Sequence, residues 1–259
     1  MRFCSLGSGS GGNSTLVEAS QGITTTRVLI DAGFSERELS RRLARAGCTP
    51  ADVDAIFITH EHGDHVGCSL AFARRHRIPL ITSRGTWRAV GREEFDVGLL
   101  HLARGGEAIP LGDMELQPFA VPHDANEPLQ LTLSDGLVRL GIVTDLGSAP
   151  ADVAAALAGC RALLLECNHD EGMLRAGPYP PMLKRRILGS HGHLSNAAAA
   201  DLLQRCRHTG LASVVAAHLS ERNNTPALAQ AALVQALGDA ESDIRVAHPS
   251  LGIDWLALN

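Results

Sequence analysis

Aromatic side chains make up only 3% of this 259-residue sequence, too few for the successive stacking platforms that general binders of single-stranded nucleic acid use. Any nucleic acid it handled would therefore be gripped mainly by its backbone. An excess of positive charge is missing as well. The net charge of −5 gives no global attraction to polyanions, so a local basic patch would have to supply it. Arg74, Arg75 and Arg77 form one such run and Lys184, Arg185 and Arg186 another, although runs of this kind commonly just solvate a surface. The six cysteines, Cys4, Cys48, Cys68, Cys160, Cys167 and Cys206, contain no C-x-x-C pair. Scattered this way in a chain able to build a large core, they exclude a disulfide framework and are expected to be reduced and mostly buried. Long apolar runs are absent too: the N-terminal "MRFCSLGSGSGGNS" breaks into Gly and Ser after six residues. It lacks the apolar segment of a signal peptide, and no later run reaches membrane-spanning length. A cytoplasmic protein with no membrane partner is expected.

What the sequence does have is enough apolar residue, 45%, to fill a full core. The expectation is a single domain spanning residues 1–259, built from two similar halves. "RFCSL", "STLVEA" and "RVLIDAG" read as strands of an antiparallel meander. "SERELSRRLARAG" reads as a helix, with Ser35 and Glu38 as a capping box, Leu39 and Leu43 on one face and Gly47 at the exit. "AIFIT" is a buried strand, followed by the helix "GCSLAFARRHR" and the strand "IPLIT". The second half repeats the grammar with "MELQPFAV", "LQLTLSD", "LVRLGIVTD", "ALLLEC" and "SVVAAHL" as strands. "PADVAAALAG" and "SNAAAADLLQRCRHTG" are its helices. Two mixed β-sheets packed face to face, with helices outside both, give a four-layer αββα sandwich of the α/β class.

The chemistry concentrates in "FITHEHGDHVG", residues 57–67, where His60, Glu61, His62, Asp64 and His65 crowd one strand end. His60 and His62, two apart in an extended loop, can point the same way, while Gly63 permits a change of direction before Asp64 and His65. One pair can hold one metal and the other pair a second. The same alternation points Glu61 away from both histidines. Three protein ligands per ion leave an open position for water, so further ligands must come from elsewhere. His123 in "VPHDANEP", Asp145 in "IVTDLG" and His218 in "VAAHLS" each close an apolar run, where a sandwich gathers residues on one rim. Five His and two Asp suit zinc, manganese or iron.

"THEHGDH" closely resembles the signature of the metallo-β-lactamase superfamily. That resemblance covers nearly the whole chain and implies a di-metal αββα sandwich. It implies that His60, His62 and His123 bind the first ion, that Asp64, His65 and His218 bind the second, and that Asp145 bridges them. "SLGSGSGGNS", "CNHDEGML", "YPPMLKRRILGSHGHLSN" and "AHLSERNN" resemble the YycJ/WalJ-type branch, described as 5′-to-3′ exonucleases on single-stranded DNA. "GHLSN" and "AHLSERNN" are also similar to elements of tRNA 3′-processing endonucleases, in which the histidine of the first element contacts the scissile phosphate. His193 inherits that position, with Ser195 beside it as a substrate contact. Between His123 and His218 there is no room for the inserted domain of larger RNA-processing relatives.

Two ions would lower the pKa of a bridging water, giving a hydroxide for in-line attack on a phosphodiester, and would neutralise the phosphate oxygens. Asp64, His193 and His169 make up the expected catalytic set, the two histidines serving the leaving group as acids near pH 7. A helix cap is the structural alternative for His193. "GSGSGGNS" lacks the lysine of a nucleotide-binding P-loop and reads as a hairpin beside the site, with Asn13 its contact to substrate. Tyr179, beside the second basic run, is the stacking candidate. The expected activity is a 5′-to-3′ exonuclease on single-stranded nucleic acid, DNA before RNA. The alternatives are a small-molecule thioester or cyclic-phosphodiester hydrolase and a non-catalytic metal-binding module.

Overall fold

The computed structural model describes residues 1–90, 94–238 and 242–259. Its strands are β1 (Arg2–Gly7), β2 (Ser14–Gln21), β3 (Thr24–Ile30), β4 (Ala55–Ile58), β5 (Leu80–Ser83), β6 (Leu100–Ala103), β7 (Ile109–Leu111), β8 (Met114–Ala120), β9 (Leu129–Ser134), β10 (Arg139–Val143), β11 (Ala162–Glu166), β12 (Ser213–Ala217), β13 (Asp243–Val246) and β14 (Ile253–Ala257). The helices are α1 (Glu36–Arg45), α2 (Gly63–Val66), α3 (Ser69–His76), α4 (Arg84–Val90), α5 (Ala151–Leu157), α6 (Glu171–Ala176), α7 (Pro181–Ile187), α8 (Asn196–Cys206) and α9 (Pro226–Leu237).

The strands form two seven-stranded sheets, in the orders β14-β1-β2-β3-β4-β5-β6 and β13-β12-β11-β10-β9-β8-β7. Each begins as an antiparallel meander and continues in parallel: β3 to β6 in the first sheet, β10 to β13 in the second. The two expected halves are this repeated topology.

Central strands read as unbroken apolar runs because both of their faces are buried. In β4, Phe57 faces the core between the sheets while Ile56 and Ile58 face the helices outside the first sheet. In β11, Leu164 enters the inter-sheet core, and Leu163 and Leu165 pack beneath α5, α8 and α9. Period-two alternation thus feeds three apolar layers, which is what a four-layer sandwich requires. Parallel strands also send their C-terminal ends to one edge, so the residues after β3, β4, β10, β11 and β12 gather on one rim.

Ser35 caps α1, accepting from Glu38 N at 3.4 Å. The expected reciprocal half of that capping box is absent, because the Glu38 carboxylate pairs with Arg41 and Arg42 instead. Charged guanidinium donors outcompete one backbone N–H for that carboxylate.

All six cysteines are free, and all but the half-buried Cys68 are buried. Burial pushes Cys4 and Cys68 up to about 12 and Cys160 and Cys206 up to about 11. Since the thiolate is the reactive form, the native protein should resist iodoacetamide at pH 8 and take up six labels only after denaturation. Rapid labelling of a native thiol, seen by intact mass, would contradict this.

Candidate metal centre and cleft

At the end of β4 the chain passes through Thr59 and His60 to His62, which stands at the N-cap of α2. The change of direction at Gly63 is therefore a single helical turn, made without a left-handed glycine, and not a continued extended loop. Glycine is required opposite it: a Cβ on Gly33 would lie 1.7 Å from the Asp64 carbonyl oxygen. Backbone bonds from Asn13 N to Asp64 O and from Ala32 N to His65 O, both 2.8 Å, clamp the turn to the first sheet.

The partners of each imidazole show which nitrogen faces the centre. The Thr59 hydroxyl donates to Asp31 at 2.9 Å, so it accepts from His60 Nδ1 at 3.0 Å and leaves His60 Nε2 as a lone pair. His123 Nδ1 donates to Gly192 O at 3.0 Å, and His65 Nδ1 to Asp31 Oδ2 at 2.7 Å. His218 Nδ1 faces Glu166 Oε1 at 3.3 Å. In each case the far nitrogen turns inward, the arrangement that orients histidines toward a cation.

Two groups of donors result. His60 Nε2 and His123 Nε2 lie 3.0 and 3.2 Å from His62 Nδ1. His218 Nε2 and His65 Nε2 lie 3.3 and 3.7 Å from Asp64 Oδ2. Asp145 stands between the groups. Its Oδ2 is 2.8 Å from His65 Nε2, yet this buried oxygen makes no hydrogen bond, as with two donors aimed at a common point rather than at each other. Converging lone pairs and an orphaned buried carboxylate oxygen fit divalent cations better than they fit one another.

The electrostatics agree. Burial disfavours the charged form of His60 and holds it well below the usual imidazole range, with the neighbouring imidazoles adding to the effect. For His218 burial acts the same way, but Asp145, Asp64 and Glu166 outweigh it and raise the ring to about 10. Asp145 is held well below the carboxylate range, because His218, His65 and His193 overcome its burial. Protons thus occupy part of the cluster where cations could replace them.

A family model described as a beta-lactamase superfamily domain matches residues 26–219. The chain belongs to the β-lactamase superfamily. It is 32% identical over 249 residues to the exodeoxyribonuclease WalJ of Streptococcus pneumoniae, covering 95% of this chain and 91% of that protein. It is 33% identical over 241 residues to the exodeoxyribonuclease YycJ of Bacillus anthracis, covering 92% and 89%. In fold it matches the metallo-β-lactamase fold protein YhfI of Bacillus subtilis, with a TM-score of 0.73, 14% identity and 98% coverage of both chains. It also matches the short form of human tRNase Z, with a TM-score of 0.67, 15% identity and full coverage of both. The superfamily implies divalent metal ions, and the cluster around Asp145 is able to hold them.

Over this superfamily centre lies a cleft of about 420 Å³ whose walls include His62, Asp64, Asp145, Tyr179, Arg186, His193 and His218. His193 Nδ1 donates to Glu166 Oε1 at 2.7 Å and lies 3.3 Å from Asp145 Oδ1. Burial alone would lower its pKa, but the Glu166 carboxylate raises it. The helix-cap alternative fails for His193, since Ser195 caps α8 by accepting from Ala198 N at 3.2 Å.

The structure leaves three of the expected residues behind the cleft surface. Ser195 is buried, and its hydroxyl donates to Glu171 at 3.3 Å. Asn13 is buried, accepts from Gly9 N at 2.9 Å and reaches His65 Nε2 at 3.1 Å, tying the Gly-rich hairpin to the centre. From that hairpin it is Ser10 that lines the cleft. His169 is 1% exposed with neither ring nitrogen hydrogen-bonded, and burial lowers its pKa. Glu61 turns away as expected, accepting from Asn126 N at 2.7 Å.

The sequence reading missed Asp31, Thr59 and Glu166. "RVLID" and "LLLE" end apolar runs in an acid, as "IVTD" does, but that ending alone does not tell a buried acid from a solvated one. Three of the rim residues, Asp31, Asp145 and His218, have left-handed φ of 60°, 56° and 55°.

Proposed function

We propose that this chain is a two-metal phosphodiester hydrolase that removes nucleotides from single-stranded DNA in the 5′-to-3′ direction. The observation that carries the reading is the His193–Glu166 pair set beside a full donor cluster, on a chain similar along most of its length to two exodeoxyribonucleases. His60, His62 and His123 would hold one ion, Asp64, His65 and His218 the other, and Asp145 both; zinc, manganese and iron all suit such ligands. Bound there, the ions supply an acidified water as nucleophile and positive charge for the phosphate oxygens.

The protein's own groups complete the reaction. Asp31, Thr59, Glu166 and the Gly192 carbonyl hold the imidazoles in register. Glu166 stabilises the protonated form of His193, whose Nε2 can give its proton to the departing 3′-oxygen. Tyr179, in the cleft wall, offers a face for a base. Asn13 and Ser195 serve by holding the hairpin and α8 in place, and His169 joins the start of α8 through its carbonyl, which accepts from Asn196 N at 2.8 Å.

The test uses protein stripped with chelator and reloaded with Mn²⁺ or Zn²⁺, given single-stranded DNA labelled at either end, with RNA, bis-p-nitrophenyl phosphate and S-lactoylglutathione alongside. Metal-dependent release of mononucleotides from the 5′ end is expected. Cleavage of the small esters alone would overturn the nuclease reading.

A further inference from the structure

Of the second basic run, one residue faces the cleft. Leu183, Arg186 and Ile187 share the inward face of α7 at spacings of three and four. Lys184 is turned to Arg175 O at 2.6 Å. The first basic run disperses: Arg75 pairs with Glu36 and Arg77 with Asp96.

Arg186 uses only Nε, donating to Asp124 Oδ2 at 2.5 Å. Its two terminal nitrogens make no hydrogen bond among the described residues, so the flat fork that grips a phosphate through two parallel bonds is free. Asp124 Oδ1 in turn lies 3.5 Å from His123 Nε2 and 3.9 Å from His62 Nε2. One carboxylate therefore separates the guanidinium from the histidines.

The mounting is rigid. His193 N donates to Ile187 O at 3.0 Å, and a Cβ on Gly192 would lie 2.2 Å from that same oxygen. The end of α7 and the loop bearing His193 are thus in direct backbone contact, which fixes the backbone that carries Arg186 relative to the proposed acid, while Asp124 orients its side chain.

We propose that Arg186, braced by Asp124, is a subsite for a non-scissile phosphate, and that it makes this centre prefer polynucleotides over small phosphodiesters. The inference rests on the nuclease reading. Asp124 orients the fork and also places a negative charge beside it, so that a lone monoester gains little there while a strand anchored at the donor cluster is held at a second point.

The test compares Arg186→Ala, Arg186→Lys and Arg185→Ala in the metal-loaded protein. Arg185→Ala removes the same charge from an exposed neighbour on the same helix. Binding of a phosphorothioate single-stranded DNA is followed by fluorescence anisotropy from 50 to 300 mM salt, and kcat/KM is measured for DNA and for bis-p-nitrophenyl phosphate. Arg186→Ala should weaken DNA binding about tenfold and reduce the log–log salt slope by about 0.7, the share of one phosphate contact on a single strand. It should also lower the ratio of kcat/KM for DNA to that for the small ester by a similar factor. Arg186→Lys should keep the slope while losing part of the affinity, and Arg185→Ala should change neither. If Arg186→Ala and Arg185→Ala behave alike on a wild-type background that does degrade DNA, the subsite is wrong. A wild-type protein that turns over only the small ester would instead sink the nuclease reading itself.

Discussion

Replacing Asp145 with alanine in the metal-loaded protein should lower phosphodiesterase turnover by at least about a hundred- to a thousandfold, the scale on which loss of one preorganised charge-stabilising group acts. Its oxygens lie 2.8 Å from His65 Nε2 and 3.3 Å from both His193 Nδ1 and His218 Nδ1. No other carboxylate among the described residues touches all three. Removing it takes away the one carboxylate grouped with His60 and His65 on one side and with His193 and His218 on the other among the described residues, and with it the negative charge that helps raise the pKa of His65 and His218. Metal content should fall below two ions per chain while circular dichroism stays that of a folded protein. A variant carrying two ions and wild-type turnover would dismiss Asp145 as the shared ligand.

His193→Ala should slow DNA cleavage by about a hundred- to ten-thousandfold, the usual span for a positioned general acid. It should slow bis-p-nitrophenyl phosphate far less, because nitrophenolate departs without a proton. Equal losses on both substrates would show that His193 binds phosphate and does not protonate the leaving group. Glu166 raises the pKa of His193, so the ring stays protonated to higher pH than a free imidazole, and activity should decline as pH rises through that value. Glu166→Gln removes the supporting charge and should move the alkaline limb of kcat/KM to lower pH. Glu166 also faces His218, so metal content must be checked in the same sample.

The donor cluster was legible because most of it is local: four members fall within residues 60–65, and the other three follow β8, β10 and β12, strands that run in one direction and so end at one edge. The sandwich was legible because fully buried strands are short, dense and apolar. The groups behind the histidines were not, since a lone acid after "RVLI" or "LLL" looks like a solvated strand end until the neighbouring strand supplies its partner. The place of Asn13 and Ser195 was hard to read for a related reason. A polar side chain in a loop has a donor and an acceptor to satisfy, and whether backbone or substrate satisfies them depends on which way the loop folds. The Ala-rich α9 carries little periodicity, and β13 and β14 are short strands at the sheet edges, so the C-terminal part of the chain offered few signals.

The left-handed backbone at Asp31, Asp145 and His218 bears on how such a protein can change over generations. Each side chain there costs roughly 1–2 kcal/mol that glycine would not. Glycine would relieve that strain, but at position 31 it would leave the buried Thr59 and His65 without their acceptor, and at position 145 it would leave His65 and His218 without the charge beside them. The strain and the buried bonds balance each other, so these positions offer no easy gain in stability, and heat-tolerant variants will have to find theirs elsewhere in the chain.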